Sequence, residues 1–558
     1  IAYPWARYDQ LVVRNFGSGG MENTAATTMY PTAIFDEIAL EDADLDSLIA
    51  HELAHQWAGN LLTCRSWEHI WLNEGWATIA SALWFEERDG EDGYLDSIRR
   101  SFRVAQRDLT TNDLPMVSPI YGEPMETFRR AANPYPKGAS IIHMLRRSLG
   151  EEIFWRGVRL YMSRHAYSTV ETSDFRFALE EVSGRGLEGF FDQWCYRPGC
   201  PQLDVTVRYD AYERELTIDV RQMQHMDART PAFRFELPVH VETTHGTKLL
   251  LIDVRSRHTT TRRILDGPPL VVAVDPWLHV LSRVTEHKAD SLWISQLQRG
   301  PTIAARHAAA EAIGRRAGTE NIERLRALVL NEEERYTLRQ TAVQALSSAP
   351  GAGKVISTLL KNHPVPHPRV RLTLIRALRD ADANDAVPLL HHHARTDRSY
   401  AVRAAAIGEL ARHLEAMNGS HPEHDAICDL ILELVDMPSQ HDQVRIAALE
   451  AMGRLDHAPG LDAAIRLSAY GHPDRMRPTA IAAVARLAHH DHDRALATLV
   501  PLLLDPERRA MRAAGAALAD LGDARARRPM TALATAHRSP AVRRLAEGWV
   551  GRLTVDAE

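Results

Sequence analysis

The segment His51-Glu52-Leu53-Ala54-His55 holds two imidazoles four residues apart, with a carboxylate next to the first. On a helix, positions i and i+4 lie ~40° apart around the axis and ~6 Å along it, so both rings can meet one ion. Glu52 is then placed to reach a water at that ion rather than the ion itself, the position of a general base. A catalytic zinc takes three protein ligands and keeps one position open. Glu74 comes 18 residues after His55, inside Trp71-Leu72-Asn73-Glu74-Gly75-Trp76-Ala77 at the start of the next helical stretch. A turn between two helices can return its carboxylate over the His51/His55 face. The other common zinc pattern needs a glycine and a histidine three and six residues after the second histidine, and Ala58 and Leu61 stand there. His51, His55 and Glu74 are therefore the candidate ligands of one zinc ion, with Glu52 the candidate base. His69 is expected to pack or to support the site from behind, not to ligate.

The elements that must position these groups follow from periodicity. Residues 48–61, 74–88, 94–109, 137–149 and 151–164 carry apolar positions at helical spacing with Gly, Pro or Asn near their ends. From Leu203 the pattern changes to period two: Leu203, Val205, Val207, then Leu216, Ile218, Val220, then Phe233, Phe235, Leu237. Residues 249–254 and 270–274 add apolar strands, and the region reads as a small β-sandwich. From about residue 290 an Ala-rich helical pattern recurs behind an arginine: Arg306, Arg339, Arg371, Arg403, Arg445, Arg477, Arg512 and Arg543. The intervals are 31–35 residues except one of 42, which holds an insertion around 413–425. Two helical segments per unit at this period signal an α-solenoid resembling HEAT repeats. The expected organisation is a mostly α catalytic domain at 1–200, a β-sandwich at 201–285 and a helical repeat domain at 290–558. The repeated arginines are expected to bond to neighbouring backbone or acids. The histidine runs at 391–393 and at 489, 490 and 492 are expected to be polar surface.

Composition narrows the function classes. The 558 residues are 45% hydrophobic and 25% charged, ordinary for a folded soluble chain of several domains. A net charge of -7 argues against a general nucleic-acid binder. No apolar run approaches the ~20 residues of a membrane helix. Four cysteines do not make a disulfide framework; Cys195 and Cys200 are close enough to pair, and two free thiols are an equal alternative. The compartment stays open. The chain starts at Ile1 without an initiator methionine or a visible signal peptide, and it reads as a fragment or processed product.

Four ordered motifs carry a resemblance: GGMEN at Gly19–Asn23, HELAHQWAGN at His51–Asn60, WLNEG at Trp71–Gly75 and PYPKG at Pro134–Gly138. Together with the run from Asp174 to Val205, they are similar to the aminopeptidase N family of gluzincins, over roughly residues 1–285. The resemblance implies a thermolysin-like catalytic domain, one zinc ion and peptide substrates with a free N-terminus. It implies that Glu22 binds the substrate's α-amine, and that Gly19 and Gly20 let backbone run beside the substrate as an added strand. Tyr135 would supply the hydroxyl that stabilises the tetrahedral oxyanion. Glu52 would take a proton from the attacking water and pass it to the departing amine. The sequence departs from relatives at Pro136, where glutamate is common. It also has Arg130 where the leukotriene hydrolase branch has a tyrosine, which speaks against epoxide hydrolysis. The family's N-terminal β-domain precedes a segment matched here by Tyr3–Asp9, and its lack is expected to lower activity. The competing expectation is a non-catalytic HEAT scaffold with a vestigial peptidase domain, from which ligands or base should have been lost.

Overall fold

The computed structural model describes residues 1–14, 16–107, 114–316 and 318–555. The chain forms two compact units, one of residues 1–30 and 45–321 and one of residues 31–44 and 322–558. Among the described residues no helix is long and apolar enough to cross a membrane.

The first unit opens with a three-stranded sheet. Strand Asp9–Val12 runs parallel to Ala26–Met29, and Gly20–Met21 pairs antiparallel to the latter's other side as the sheet's edge. Helix Asp46–Ala54 follows in chain order. The helical reading of 48–61 overruns this end. After His55 the chain turns through Gly59, whose φ of 141° suits glycine, and enters strand Leu62–Cys64. The backbone N–H of His55 still donates to His51 O at 3.3 Å, so the two histidines keep helical spacing.

Helix Trp71–Arg107 covers both of the helical stretches read at 74–88 and 94–109. Gly90, at φ 74° and ψ -168°, breaks its backbone between them, and residues 108 and 109 lie outside the described residues. Helix Pro134–Leu149 begins where Asn133 Oδ1 accepts the N–H of Tyr135 at 3.0 Å. Pro134 and Pro136 sit in its first turn, where an N–H has no intrahelical partner to lose. Trp71, Phe154, Phe175, Phe191 and Trp194 are fully buried between these helices and the following Glu151–Arg164, Thr172–Ser183 and Glu188–Cys195.

Helices Trp71–Arg107 and Pro134–Leu149 touch backbone to backbone at Gly75 and Gly138. A Cβ on Gly138 would lie 2.8 Å from Gly75 Cα, and one on Gly75 would lie 2.9 Å from Gly138 Cα. No side chain can yield there, so the helices themselves must part. Gly138→Ala is expected to cost about 1–3 kcal/mol of stability, the range for overpacked cores. Activity should fall with it, because Glu74 and Tyr135 flank the crossing. A thermal melt unchanged from wild type would show that the crossing tolerates a methyl group.

Residues 202–287 form two sheets. Strands His258–Ile264, Glu215–Gln222, Gln202–Asp210 and Arg283–His287 lie in that order in one, and Pro269–Val274, Phe235–Thr243 and Gly246–Val254 in the other. The alternating Leu203, Val205, Val207 and Leu216, Ile218, Val220 are buried, as are Leu237, Val239, Val241, Ile252 and Val254. Strand His258–Ile264 has no period-two apolar face, being Thr- and Arg-rich, and strand Arg283–His287 joins in parallel to Gln202–Asp210. Periodicity marks neither. All four cysteines are free, Cys195 and Cys200 among them.

In the second unit, helices stack in succession. Tyr336–Ser347, Pro368–Ala377, Tyr400–Ala416, Gln443–Arg454, Arg477–Arg486, Arg508–Leu521 and Pro540–Val555 each pack on the next. Several of the repeated arginines reach back to carbonyls at the end of the preceding helix. Arg339 Nε donates to Val329 O at 2.9 Å, Arg403 Nη2 to Arg395 O at 2.6 Å, Arg477 Nε to Ser468 O at 2.9 Å and Arg543 Nη1 to His537 O at 2.7 Å. A cation at a helix C-terminus satisfies orphaned carbonyls and meets the negative end of the dipole. Residues 31–44 fold into this unit although they precede the HExxH helix in sequence. Asp42 accepts from Ser399 Oγ and from Ala401 N at 3.0 Å, and Gln440 Nε2 donates to Thr32 O at 2.8 Å.

Candidate active site

His51 and Glu52 lie on helix Asp46–Ala54 and His55 is its C-cap. Glu74 lies in the first turn of helix Trp71–Arg107. The His51 and His55 Nε2 atoms are 3.2 Å apart, and Glu74 Oε2 lies 3.3 Å from each. Three ligands at zinc bond lengths of ~2.0 Å define tetrahedron edges of ~3.3 Å, so this near-equilateral triangle has the size of one tetrahedral face.

The triangle also has the right chemistry. His55 Nδ1 lies 2.9 Å from Ala58 O, a contact that puts a proton on Nδ1, so that in the neutral ring the lone pair lies on Nε2. Glu74 Oε2 is buried and, despite its closeness to both rings, has no hydrogen-bond donor. Lone pairs converging at such distances repel unless a cation sits among them. Burial works to raise the Glu74 carboxyl, and the two imidazoles outweigh it and hold the group low. Burial likewise lowers the His55 imidazole, and Glu74 above all pulls it back above its ordinary value. Both directions follow from the closeness of the carboxylate to the two imidazoles, and the donor set and its spacing fit a zinc ion.

Glu52 is buried outside the triangle, with Oε2 lacking any partner. Burial above all, with help from Glu22 and Glu74 and against His55, pushes its carboxyl up to about 7. Gly20 makes room for it. A Cβ there would lie 2.0 Å from Glu52 Oε1 and 2.2 Å from its Cδ. The edge strand Gly20–Met21 thus presses its backbone against the candidate base.

Glu22 follows that strand and is fixed through its main chain. Asn60 Nδ2 donates to Glu22 O at 2.7 Å, and Gln56 Nε2 donates to the same oxygen at 3.4 Å. Gln56 Oε1 accepts the N–H of Ala25 at 2.8 Å. The sequence reading assigned no role to Gln56 or Asn60, although both stand inside HELAHQWAGN. Helical spacing does not mark them, because helix Asp46–Ala54 ends before both; their place inside that motif is the only signal. Gly19 O is taken by Tyr30 N at 3.0 Å, so this carbonyl is bonded within the sheet.

Tyr135 reaches the triangle from helix Pro134–Leu149. Its ring stacks on His51 at 5.8 Å between centroids and 14° between planes. Burial, then the Glu74 carboxylate, pushes its phenol well above the ordinary value, so the hydroxyl keeps its proton. His69 is buried and its Nδ1 lies 3.0 Å from Thr172 Oγ1, a packing contact away from the triangle. Arg130 is buried and donates to Ser118 O at 3.2 Å and to Ile120 O.

Residues 1–194 match the model of the Peptidase family M1 domain. The chain is 35% identical over 227 residues to "Aminopeptidase M1-A" of Oryza sativa subsp. japonica, covering 39% of this chain and 25% of that protein. It is 34% identical over 217 residues to "Aminopeptidase N" of Streptomyces lividans, covering 38% and 25%. The chain thus spans about a quarter of the length of the curated relatives it matches, 25% for each of these two. Among solved structures, Legionella pneumophila aminopeptidase A in complex with aspartic acid matches at a TM-score of 0.53 and 16% identity, over 97% of this chain and 70% of that one. That likeness is one of fold.

Proposed function

We propose, from the premise that residues 1–194 form a domain of peptidase family M1, that this protein is a zinc-dependent aminopeptidase. The observation that carries the reading is the 3.2–3.3 Å triangle of His51 Nε2, His55 Nε2 and Glu74 Oε2. When bound there, a zinc ion supplies Lewis acidity to a carbonyl and lowers the pKa of a water. The rest is done by side chains. Glu52, partnerless and raised toward neutrality, takes the proton of the attacking water and hands it to the departing amine. Tyr135, kept protonated by burial, donates a hydrogen bond to the oxygen on which negative charge develops. Glu22 meets the substrate's terminal ammonium in a charge-assisted contact and sets the register, so one residue leaves per cycle. Gly19 and Gly20 offer an edge along which the substrate backbone lies. The stacked helices and their arginine caps support reading residues from about 290 as HEAT-like repeats that follow a β-sandwich at 201–285 in the sequence.

A non-catalytic scaffold has no use for an intact base, amine anchor and phenol around three converging ligands. The deciding measurement compares aminoacyl nitroanilides with their N-acetylated forms, with and without a chelator. Release from free-amine substrates alone, abolished by the chelator and restored by zinc, is expected. Equal cleavage of the acetylated forms would overturn the role of Glu22, and no cleavage by zinc-loaded protein would favour the scaffold.

A further inference from the structure

A second convergence of imidazoles lies in the helical unit, at the corner between two successive hairpins. His489 and His490 occupy the short turn Ala488–His490 after helix Arg477–Arg486, and Asp456 follows helix Gln443–Arg454. Nε2 of His489 lies 2.9 Å from Asp456 Oδ1, and Nε2 of His490 lies 2.8 Å from the same oxygen. His490 Nε2 is also 3.2 Å from the Asp456 carbonyl oxygen. The two rings are 4.1 Å apart at their centroids. Asp456 takes a left-handed backbone at φ 54°, which aspartate tolerates better than most residues.

At the next two corners of the stack no acid meets two imidazoles. His492 pairs with Asp523 at 2.7 Å, Arg525 with Asp493 at 2.7 Å and Arg552 with Asp520 at 2.7 Å. Asp456 instead brings two imidazoles to one carboxylate oxygen. A further imidazole stands next in sequence to Asp456. His457 Nε2 is buried and has no hydrogen-bond partner. The histidines at 489, 490 and 492 therefore divide: His492 shares Asp523 with an arginine, while His489 and His490 share Asp456 with each other.

We propose that Asp456, His489 and His490 form a second site, at the surface of the helical unit, for a borderline divalent cation of the zinc type. The three potential ligand atoms lie within 4.8 Å of one another, so small rotations bring them around one ion. Two imidazoles and one carboxylate are a donor set suited to zinc, cobalt, nickel or copper and not to magnesium or calcium. With His489 57% and Asp456 59% exposed, water completes the coordination. The bound ion ties one hairpin to the next.

The test uses the full chain and compares wild type with His489→Ala and Asp456→Asn, neither of which alters the peptidase site. His489→Ala keeps the Asp456–His490 contact, so melts in chelator should match wild type and verify folding. Zinc equivalents are counted by equilibrium dialysis, and cobalt absorption spectra are recorded. Wild type is expected to hold one equivalent more than either variant, and added zinc should raise the melting temperature of wild type by more than that of either variant. Equal stoichiometry and equal spectra in all three proteins would overturn the site. The difference between proteins is the reading, so the result does not depend on whether His51, His55 and Glu74 bind metal.

Discussion

Glu52→Gln is expected to lower kcat by about 10²–10⁴-fold, the usual range for loss of a general acid–base, while zinc content stays at the wild-type level. Glutamine fills the same volume against Gly20 but cannot accept a proton. Glu52 is absent from the ligand triangle, so its loss should not release the metal. Substrate binding through Glu22 should also persist, which predicts a fall in kcat with little change in KM. The pH profile is the second readout. The base works deprotonated, and burial pushes its carboxyl up to about 7, so kcat/KM should climb with pH through an acid limb. A bound dication favours the carboxylate and draws that limb below about 7. The residual activity of Glu52→Gln should lack the limb. A variant that turns over within tenfold of wild type, or keeps the limb, would remove Glu52 from the reaction.

Gly20→Ala is expected to cost kcat about 10²-fold with stability close to wild type, because displacement of a reacting group by ~1 Å can carry such a penalty. The added methyl would overlap the Glu52 carboxylate at 2.0 Å, and that is the free end of a mobile side chain. The base moves while the sheet stays. This contrasts with Gly138→Ala, where backbone meets backbone and the fold itself must yield. Zinc content and melting temperature distinguish the two cases. Full activity in Gly20→Ala would mean that Glu52 has another productive position. A large loss of stability would instead mean that the edge strand, not the base, gives way.

Much of the site was legible because its spacing is local. His51, Glu52 and His55 share one helix, and i, i+4 geometry holds whatever surrounds it. The Asn133–Pro134 start of the Tyr135 helix is equally local, and so is the alternation that buries Leu203, Val205 and Val207. Other features leave no local mark. Strand His258–Ile264 pairs with Glu215–Gln222 through its backbone and has no apolar period of its own. The HExxH helix ends earlier than its hydrophobic pattern because the chain must turn at Gly59. Residues 31–44 belong to the helical unit through contacts with Ser399, Ala401 and Gln440, hundreds of positions away.

By itself, then, the sequence determined the donor types, the helical pairing of His51 with His55 and the repeat that stacks the second unit. Each of these is settled within one or two turns of helix or by comparison of a segment with itself. Only the tertiary structure decided that Glu74 closes the triangle at 3.3 Å, that Tyr135 stacks on His51, and that Gly20 rests against Glu52. Those distances depend on how far helices carrying Gly75 and Gly138 approach and where an edge strand lies. Such close approach is set by the packing of many residues at once, and no short stretch of sequence contains it.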